Sequence, residues 1–351
     1  MKKDKKNKKK MKPLKLVILI VACLLAFVLL VLLAARLYFR LPVYDYYRAS
    51  EKAFEIPGLS DGFVPQGMDY DSRGYFWVTG YMDDGSASPI YVVEKESGEL
   101  AKTMYLANED GTIYNGHAGG IAISWDYVYI AGGADQCIYA YSVEDLLAAE
   151  DGASVKARGS ISTKLSDEDG VNVACLYVDD RYQYLYALEF YRDPQYQTPE
   201  SHKMTTPAGD YNQALALAFP LNYEEGVLGV DPAPKFAISL PDKVQGMCMD
   251  EDSIYLSTSW SVSNSYIYRY DKVNFTENES KLACRGAEIP LYYLDSNHLL
   301  NEYKIPPMSE EIVIVDDRLY TMCESACNKY FFGKLTSGKW CYSTNLFDMA
   351  D

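Results

Sequence analysis

Val64-Pro-Gln-Gly-Met-Asp-Tyr-Asp-Ser-Arg-Gly-Tyr-Phe-Trp-Val-Thr-Gly-Tyr81 is the stretch that decides how this chain folds, because its pattern occurs five times. Each copy has an alternating apolar segment, a turn rich in aspartate and a second apolar segment. The second segment always carries an aromatic residue at the same place: Trp77, Tyr129, Tyr186, Tyr255 and Tyr320. Apolar residues at every second position predict β-strands, so the repeated unit is a pair of strands joined by a tight turn.

The spacing of the copies gives the number of units. The later copies are residues 119–132, 175–189, 245–258 and 311–323. Intervals of 53, 55, 71 and 65 residues separate the equivalent apolar positions, which are Met68, Ile121, Leu176, Met247 and Ile312. A four-stranded propeller blade needs ~40–50 residues. The chain has room for five blades and not for six, so the sequence predicts an all-β, five-bladed β-propeller.

The other strands of each blade are also visible. Third strands are predicted at 89–94, 136–141, 214–219 and 265–270, and outer strands at 236–241 and 301–306. Residues 52–57 have the same short pattern ending in proline, but no blade precedes them. Their partner must be the last blade. We therefore expect the strand at 52–57 to close the ring.

Two blades carry inserts that explain the longer intervals. Residues 191–212, in the third blade, are polar and rich in proline and tyrosine. Residues 273–300, in the fourth, contain a segment, Leu291–Leu300, for which we predict a short helix. After the N-terminal apolar segment, no predicted helix is long enough to compete with the all-β interpretation.

Charge divides the chain sharply. Residues 1–15 contain nine lysines and one aspartate and carry +8 of the net charge of −16, so the remainder carries −24. A domain this acidic repels the phosphate backbone of nucleic acids and anionic membrane surfaces. The sequence therefore argues against a nucleic-acid partner.

An apolar segment follows the lysines. The twenty uncharged residues Leu16–Ala35 are enough to cross the ~30 Å hydrocarbon core of a membrane as a helix. The preceding lysines predict a cytoplasmic N-terminus and an extracellular propeller in the cell membrane. The expected organisation is a basic cytoplasmic tail (1–15), a transmembrane anchor (16–37), a juxtamembrane stalk with an aromatic belt of tyrosines (38–51) and the propeller (52–351).

Two other interpretations of the N-terminus stay open. A cleaved signal peptide normally has an apolar core of only about 7–15 residues, which is shorter than the segment here. Ile20-Val-Ala-Cys23 fits the lipobox before a lipidated cysteine. Twelve further apolar residues follow Cys23, however, where a lipoprotein usually becomes polar. An uncleaved single-pass anchor is therefore the prediction.

Seven of the eight cysteines lie outside the apolar segment, which is an odd number. Cys137, Cys175 and Cys248 lie at strand positions and are expected to be small core residues. Cys323 and Cys327 are candidates for a disulfide with each other or with Cys341. At least one exported thiol per monomer stays free, and no cysteine spacing matches a zinc site.

The first strand of every propeller blade starts beside the central axis, so the residues at these starts converge on one face of the ring. Reading this position from the five repeats gives Gln66, His117, Asn172, Gln245 and Glu310. The loops that join strands two and three add residues 81–84 and the side chains of Glu189, Trp260 and Glu324. We expect these residues to form a polar funnel that binds a small polar molecule or one calcium ion.

Each of these features also has a structural explanation. Polar residues at strand starts satisfy backbone groups and channel waters. Gly67, Gly120 and Gly246 are expected because the axis is crowded rather than to cradle a phosphate. Segments 69–74 and 166–170 are similar to calcium loops but lack the full twelve-residue spacing, so tight Asp-Gly turns are the expected structure. Calcium is the one cofactor that the sequence leaves open.

Over residues 52–345 the chain resembles the poorly characterised exported propellers of Gram-positive bacteria. The motifs that carry the resemblance are Val64–Met68, Gly116–Gly120, Lys243–Met247, Pro306–Glu311 and Glu324–Lys329. In the form of its repeats the chain is also similar to quinoprotein-type and gluconolactonase-type propellers. It resembles the five-bladed glutaminyl cyclases in Gln66-Gly67 and Gln245-Gly246, but it has Gly119-Gly120 where their second blade has Glu-Gly. These resemblances imply a fold and no specific activity.

Two functions of different classes follow. The favoured one is a membrane-anchored binding module whose funnel takes a small polar ligand, a glycan or a surface protein, since most of the aligned funnel residues are amides. The alternative is a tethered enzyme (glutaminyl-cyclase-like, a lactonase or a lyase) that uses a funnel carboxylate or His117 as acid and base, with or without calcium. No nucleophile with an adjacent base is visible. A raised pKa of Glu310 or Glu311, or a bound metal, would favour the enzyme.

Overall fold

The chain begins with a long apolar helix. The computed structural model describes residues 13–349 except 180, 182, 273–279 and 331, so most of the predicted basic tail lies outside the described residues. Helix α1 (Pro13–Arg40) is followed by a 3₁₀ turn (Leu41–Val43), helix α2 (Tyr44–Arg48) and strand β1 (Ser50–Glu55). No residue of α1 is buried, and the helix is long and apolar enough to cross a membrane.

Blades one and two come next. Blade one consists of β2 (Phe63–Tyr70), β3 (Tyr75–Met82), β4 (Pro89–Glu94) and β5 (Leu100–Ala107). Blade two consists of β6 (Ile121–Ile123), β7 (Tyr127–Ala131), β8 (Cys137–Ser142) and, after helix α3 (Val143–Ala148) and strand β9 (Ser154–Lys156), β10 (Gly159–Ser162). Strand β9 pairs in parallel with β5 and widens blade one.

Blade three begins with β11 (Val173–Asp179) and β12 (Tyr184–Glu189). The insert then forms a 3₁₀ turn (Glu200–His202) and a two-stranded ribbon of β13 (Met204–Thr205) and β14 (Tyr211–Asn212), before β15 (Ala214–Pro220) and β16 (Phe236–Leu240) complete the blade.

Blade four begins with β17 (Val244–Met249), β18 (Ser253–Thr258) and β19 (Ser265–Asp271). Its insert forms β20 (Lys281–Cys284) and β21 (Ala287–Tyr293), and β22 (Leu299–Ile305) completes it. The predicted helix over Leu291–Leu300 is therefore wrong. Strand β21 pairs in parallel with β16 and covers the outer edge of blade three, an edge that would otherwise be open to other chains.

Blade five contains β23 (Ser309–Val315), β24 (Arg318–Cys323) and β25 (Trp340–Thr344), with 3₁₀ turns at Phe332–Leu335 and Leu346–Met349. Its fourth strand is β1, which runs antiparallel to β25 from the pair Ser50–Thr344 to the pair Glu55–Trp340. The closing strand thus begins two residues earlier than the sequence pattern indicates. Five blades form a closed propeller, and its first and last strands share one sheet.

The apolar core consists of five clusters, one between each pair of neighbouring blades, including blades five and one. Each cluster contains one of the five aromatic residues that mark the repeats. In blades one and four an aspartate of the preceding turn holds this aromatic residue: the Trp77 indole donates to Asp71 over 2.8 Å, and the Tyr255 hydroxyl donates to Asp250 over 2.7 Å.

The axis is crowded, as the glycines indicate. A β-carbon at Gly120 would lie 2.6 Å from Cys175 Cα, and one at Gly67 would lie 2.8 Å from the backbone nitrogen of Ile121. Both distances are far below contact distance, and the obstructing atoms belong to the next blade. Glycine here lets the first strands of neighbouring blades approach each other.

Residues 41–49, which we call the neck, do not form a free stalk. Val43 and Tyr46 are 2% and 1% exposed and belong to the cluster between blades four and five. The rings of Tyr46 and Tyr342 are 5.8 Å apart. Tyr46 is thus core rather than part of an aromatic belt, because the crevice between the blades buries it. Helix α1 therefore joins the propeller without a free linker between them.

All eight cysteines lie among the described residues, and none forms a disulfide. Seven are buried, including Cys323, Cys327 and Cys341, so the disulfide considered for these three is absent. Cys137, Cys175 and Cys248 are small core residues, as the sequence predicts.

Candidate functional site

The starts of the first strands meet at a cavity of about 570 Å³ on one face of the propeller. We call this cavity the funnel and the face on which it opens the top face. It is lined by seven of the eight residues that the sequence selects: Gln66, His117, Asn172, Gln245, Trp260, Glu310 and Glu324. Tyr81 also lines it, whereas residues 82–84 do not.

β-Bulges place several of these side chains. The pairing of first and second strands shifts register at Gln66 in blade one, at Gln245 in blade four and at residues 310–311 in blade five. A bulge leaves its extra residue outside the strand pairing and re-aims the side chain. The repeat alignment locates these positions. The bulges themselves leave no separate signal in the sequence.

A chain of hydrogen bonds joins His117 to Glu324 through Gln66. The Gln66 amide nitrogen donates to Pro65 O over 2.8 Å and to Glu324 Oε2 over 3.1 Å. Gln66 Oε1 therefore acts as the acceptor for His117 Nε2, at 2.5 Å. This assignment places the proton of a neutral His117 ring on Nε2.

Enclosure by the funnel walls and a nearby cation determine the charge of His117. Its ring stacks on Tyr81 with 4.6 Å between centroids, and Lys329 donates to the Tyr81 hydroxyl over 2.6 Å. Although His117 is open to the funnel, enclosure by the walls and then the charge of Lys329 hold its pKa below the ordinary value. His117 is therefore neutral at physiological pH.

Two carboxyl groups share the funnel. Glu310 is 2% exposed, and the Gln245 amide donates to it over 3.4 Å. Burial, then the neighbouring Glu324 and Glu311, raise the pKa of Glu310 well above its ordinary value. Burial also raises the pKa of Glu324 to about 7, against the opposing effects of Tyr330, Lys329 and Gln66. Glu310 is thus protonated at neutral pH, while Glu324 is poised to gain or lose a proton.

Glu311 lies below the floor of the funnel rather than in its lining. Its Oε1 accepts hydrogen bonds from the backbone nitrogens of Met247, at 3.1 Å, and Ile312, at 3.3 Å. Burial raises its pKa well above the ordinary value. The raised pKa of both Glu310 and Glu311 is a feature that favours an enzyme.

An aromatic wall forms one side of the funnel. Phe190, Tyr196 and Trp260 line it, and the ring centroids of Phe190 and Tyr196 are 6.2 Å and 6.0 Å from that of Trp260. The Arg192 guanidinium lies over the Trp260 ring, 4.7 Å from its centroid. Phe190 and Tyr196 are not among the residues predicted from the sequence. The sequence feature that points to them is the aromatic content of the insert directly after β12.

Glu189 does not line the funnel, contrary to the prediction. It is 1% exposed, and its carboxylate pairs with His202 Nδ1 at 2.7 Å and accepts from the backbone nitrogen of Leu215 at 3.1 Å. The other nitrogen of His202 lies 3.0 Å from Asp169. Glu189 turns towards the insert because a buried histidine between two carboxylates attaches the insert to blade three. Its role is to fix the wall that carries Tyr196.

The His202 pairing predicts a pH-dependent stability. Burial lowers the pKa of His202, but the bonds to Glu189 and Asp169 outweigh it and raise the pKa above its ordinary value. A raised pKa in the folded state means that the pairing stabilises fully below the unfolded value of ~6.5. This stabilisation is lost as the pH rises through the folded value.

Urea denaturation at pH 6 and pH 9 measures the contribution of this pairing to stability. The free energy of unfolding of the wild type should exceed that of His202→Gln by more at pH 6 than at pH 9. The comparison stays at or above pH 6 because burial also raises the pKa of Glu189. Glu144→Gln, at an exposed position on α3, is the control. A difference that grows with pH would contradict the assignment.

The funnel has few carboxyl groups for a calcium site. Among the described residues, no group of three or more His, Cys, Asp or Glu side chains is close enough together to hold a metal ion. Calcium takes six to eight oxygen ligands, preferably charged carboxylates. Glu310 and Glu324 are the two carboxyl groups that line the funnel among the described residues.

Comparisons with known proteins identify solved structures of similar fold. No protein-family model matches the chain, and no curated protein matches it in sequence. Glutaminyl cyclase from Myxococcus xanthus is 10% identical, with 84% of this chain and 94% of that chain covered and a TM-score of 0.43. A 6-phosphogluconolactonase-like protein from Bacteroides fragilis is 14% identical, with 74% and 77% covered and a TM-score of 0.37. A glucose-dehydrogenase-type protein from Thermus thermophilus is 11% identical, with 84% and 98% covered and a TM-score of 0.41. These likenesses concern the fold, and no activity is carried over from them.

Proposed function

We propose that the chain is a membrane-anchored extracellular propeller whose funnel binds a small, neutral, hydroxyl-rich ligand of the carbohydrate class. The observation that carries the proposal is the convergence of amide, carboxyl and aromatic groups on one cavity. The amides of Asn172 and Gln245 offer donors and acceptors, which suits hydroxyl groups, while the Gln66 amide is held by Pro65, Glu324 and His117. The aromatic wall suits the apolar face of a sugar ring, and the cavity volume lies in the usual range for small-molecule sites.

The charges of the lining disfavour an anion. Glu310 and Glu324 face the cavity, and the one cation of the lining among the described residues, Lys329, already donates to Tyr81. A phosphate or carboxylate ligand would meet only this one cation, and the carboxylate of Glu324 would repel it as the pH rises through about 7. A neutral ligand avoids this cost, and protonated Glu310 can donate to one of its hydroxyls.

The location follows from the N-terminus. The apolar helix α1 and the lysines before it support a cytoplasmic N-terminus and an extracellular propeller. Protease added to intact cells is then expected to remove the propeller and leave an N-terminal tag. If the protease removes the tag and leaves the propeller intact, the predicted orientation is wrong.

An acid–base enzyme acting on the same class of ligand is the second candidate. The observation in its favour is the carboxyl pair: Glu310 holds a proton while Glu324, with a pKa of about 7, exchanges one at neutral pH. Such a group serves as general acid or general base. Proton NMR of the bound sugar or lactone over time separates the two candidates, because only the enzyme converts it.

A thermal-shift screen of the full chain in nanodiscs tests the proposed ligand class. The screen compares neutral sugars, sugar lactones, amino acids and divalent ions, with and without EDTA. Neutral sugars or lactones are expected to raise the melting temperature, independently of EDTA. Stabilisation only by ions or by charged molecules would contradict the proposal.

The titration of Glu324 predicts that binding depends on pH. A carboxylate accepts hydrogen bonds from hydroxyls more strongly than its protonated form does. Affinity for the sugar should therefore rise as the pH increases through about 7, the pKa of Glu324. Isothermal titration between pH 6 and pH 8 measures the change. Glu324→Gln should remove it, whereas Glu144→Gln, at an exposed position on α3, should retain it. If the affinity of the wild type does not change with pH, Glu324 does not contact the ligand.

A further inference from the structure

The end of the membrane helix lies at the rim of the funnel. A second cavity, of about 240 Å³, has Phe39 of α1 in its lining and shares Met308, Lys329 and Tyr330 with the funnel. The next residue, Arg40, donates to Ser337 over 2.9 Å, and its guanidinium lies 4.0 Å from the centroid of the Tyr47 ring. Ser337 and Tyr330 belong to the loop between β24 and β25, which lies on the top face. The helix therefore meets the propeller on the face where the funnel opens.

The connection between the helix and the propeller is short and fixed. Helix α1 continues to Arg40, and the neck directly after it is buried between blades four and five at Val43 and Tyr46. None of α1 is buried, so the helix projects away from the propeller instead of packing along its side. When α1 spans a membrane, the top face must stay beside that membrane.

The distance from the membrane can be estimated from helix geometry. The uncharged segment ends at Ala35, and the four residues from there to Phe39 rise about 6 Å along a helix. The headgroup layer on each side of the hydrocarbon core is about 5–7 Å thick. The rim of the funnel therefore lies at the depth of the lipid headgroups.

We propose that the funnel faces the membrane and that its ligand is the uncharged glycosyl headgroup of a lipid in the adjacent leaflet. This inference rests on the proposed binding of a neutral hydroxylated ligand and adds the source of that ligand. The lining suits a glycosyl headgroup better than a phosphate, because the amides of Asn172 and Gln245 match hydroxyl groups and Lys329 is the one cation of the lining among the described residues. The aromatic wall of Phe190, Tyr196 and Trp260 receives the sugar ring.

Fluorescence quenching tests the orientation without any ligand. The full chain, with Cys23→Ser to remove the one exposed thiol, receives a fluorophore at Val262→Cys or at Ser72→Cys. Val262 is 47% exposed and lies in the lining of the second cavity, on the top face. Ser72 is exposed in the turn between β2 and β3, at the opposite end of blade one.

In nanodiscs with nitroxide-labelled headgroups, the label at position 262 should be quenched at least about threefold more strongly than the label at position 72, since position 262 lies near the headgroup layer. Equal quenching, or stronger quenching at position 72, would overturn the proposal.

Mass spectrometry tests which lipid the protein binds. The protein is released from nanodiscs of phosphatidylcholine containing a monoglucosyl diacylglycerol, and the retained lipid is weighed. The wild type and Trp125→Ala should retain the glycolipid, and Trp260→Ala should lose most of it. Binding of soluble sugars without retention of glycolipid would overturn the lipid source and leave the proposed function standing. Binding of neither would overturn both.

Discussion

Replacing Phe54 with alanine is expected to lower the free energy of unfolding by about 3–5 kcal/mol, the usual cost of truncating a buried phenylalanine. Phe54 is 2% exposed and extends from β1 into the cluster between blades five and one. Its ring lies 5.2 Å from that of Phe76, which lies 4.7 Å from that of Tyr320. Because β1 precedes blade one in the chain but belongs to blade five, these contacts hold the two ends of the ring together.

Urea denaturation measures the effect of Phe54→Ala. Glu51→Ala, at an exposed position of the same strand, is the matched control and should change the stability by no more than about 0.5 kcal/mol. Aggregation is also expected for Phe54→Ala, since loosening β1 exposes an edge of blade five. If Phe54→Ala unfolds like the control, β1 does not hold the ring closed.

Replacing Trp260 with alanine is expected to weaken sugar binding at least tenfold, which corresponds to about 1.4 kcal/mol. Trp260 is only partly buried, and its ring forms the aromatic wall with Phe190 and Tyr196. Alanine leaves the apolar face of the ligand without a partner. The melting temperature should fall by only a few degrees because no core cluster contains Trp260.

Isothermal titration with the sugar selected by the thermal-shift screen measures the change. Trp125→Ala is the matched control: Trp125 is 72% exposed and lies in the turn between β6 and β7, at the end of blade two opposite the funnel. Its affinity should equal that of the wild type. A loss of affinity of the same size in both variants would mean that Trp260 acts on folding or solubility and not on the ligand.

The repeats allow much of the fold and most of the funnel to be predicted. Residues at equivalent positions of a propeller lie at equivalent positions around its axis, so aligning Gln66, Gln245 and Glu310 was enough to bring them together. The closing strand was predictable for a similar reason, since its pattern matched outer strands that follow other blades. An alternating apolar pattern that recurs along the chain thus predicts which residues lie close together in the folded protein.

Features that depend on contacts between inserts and blades were not predictable. The segment Leu291–Leu300 contains the end of a strand because the edge of β16 pairs with it, and no local pattern reveals that edge. Glu189 turns away from the funnel because His202, thirteen residues later, is buried beside it. The pKa of Glu324 depends on burial between blades that are distant in the sequence. In each case the deciding partner is outside the repeat.

The central claim is that the funnel is the ligand site, and a crystal structure of the full chain with the sugar selected by the thermal-shift screen tests it most directly. We predict the sugar inside the funnel, within hydrogen-bond distance of at least two of Asn172, Gln245 and Glu324, with its ring against Trp260. A sugar bound at the outer edge of a blade or on the opposite face, with the funnel free of it, would contradict the account.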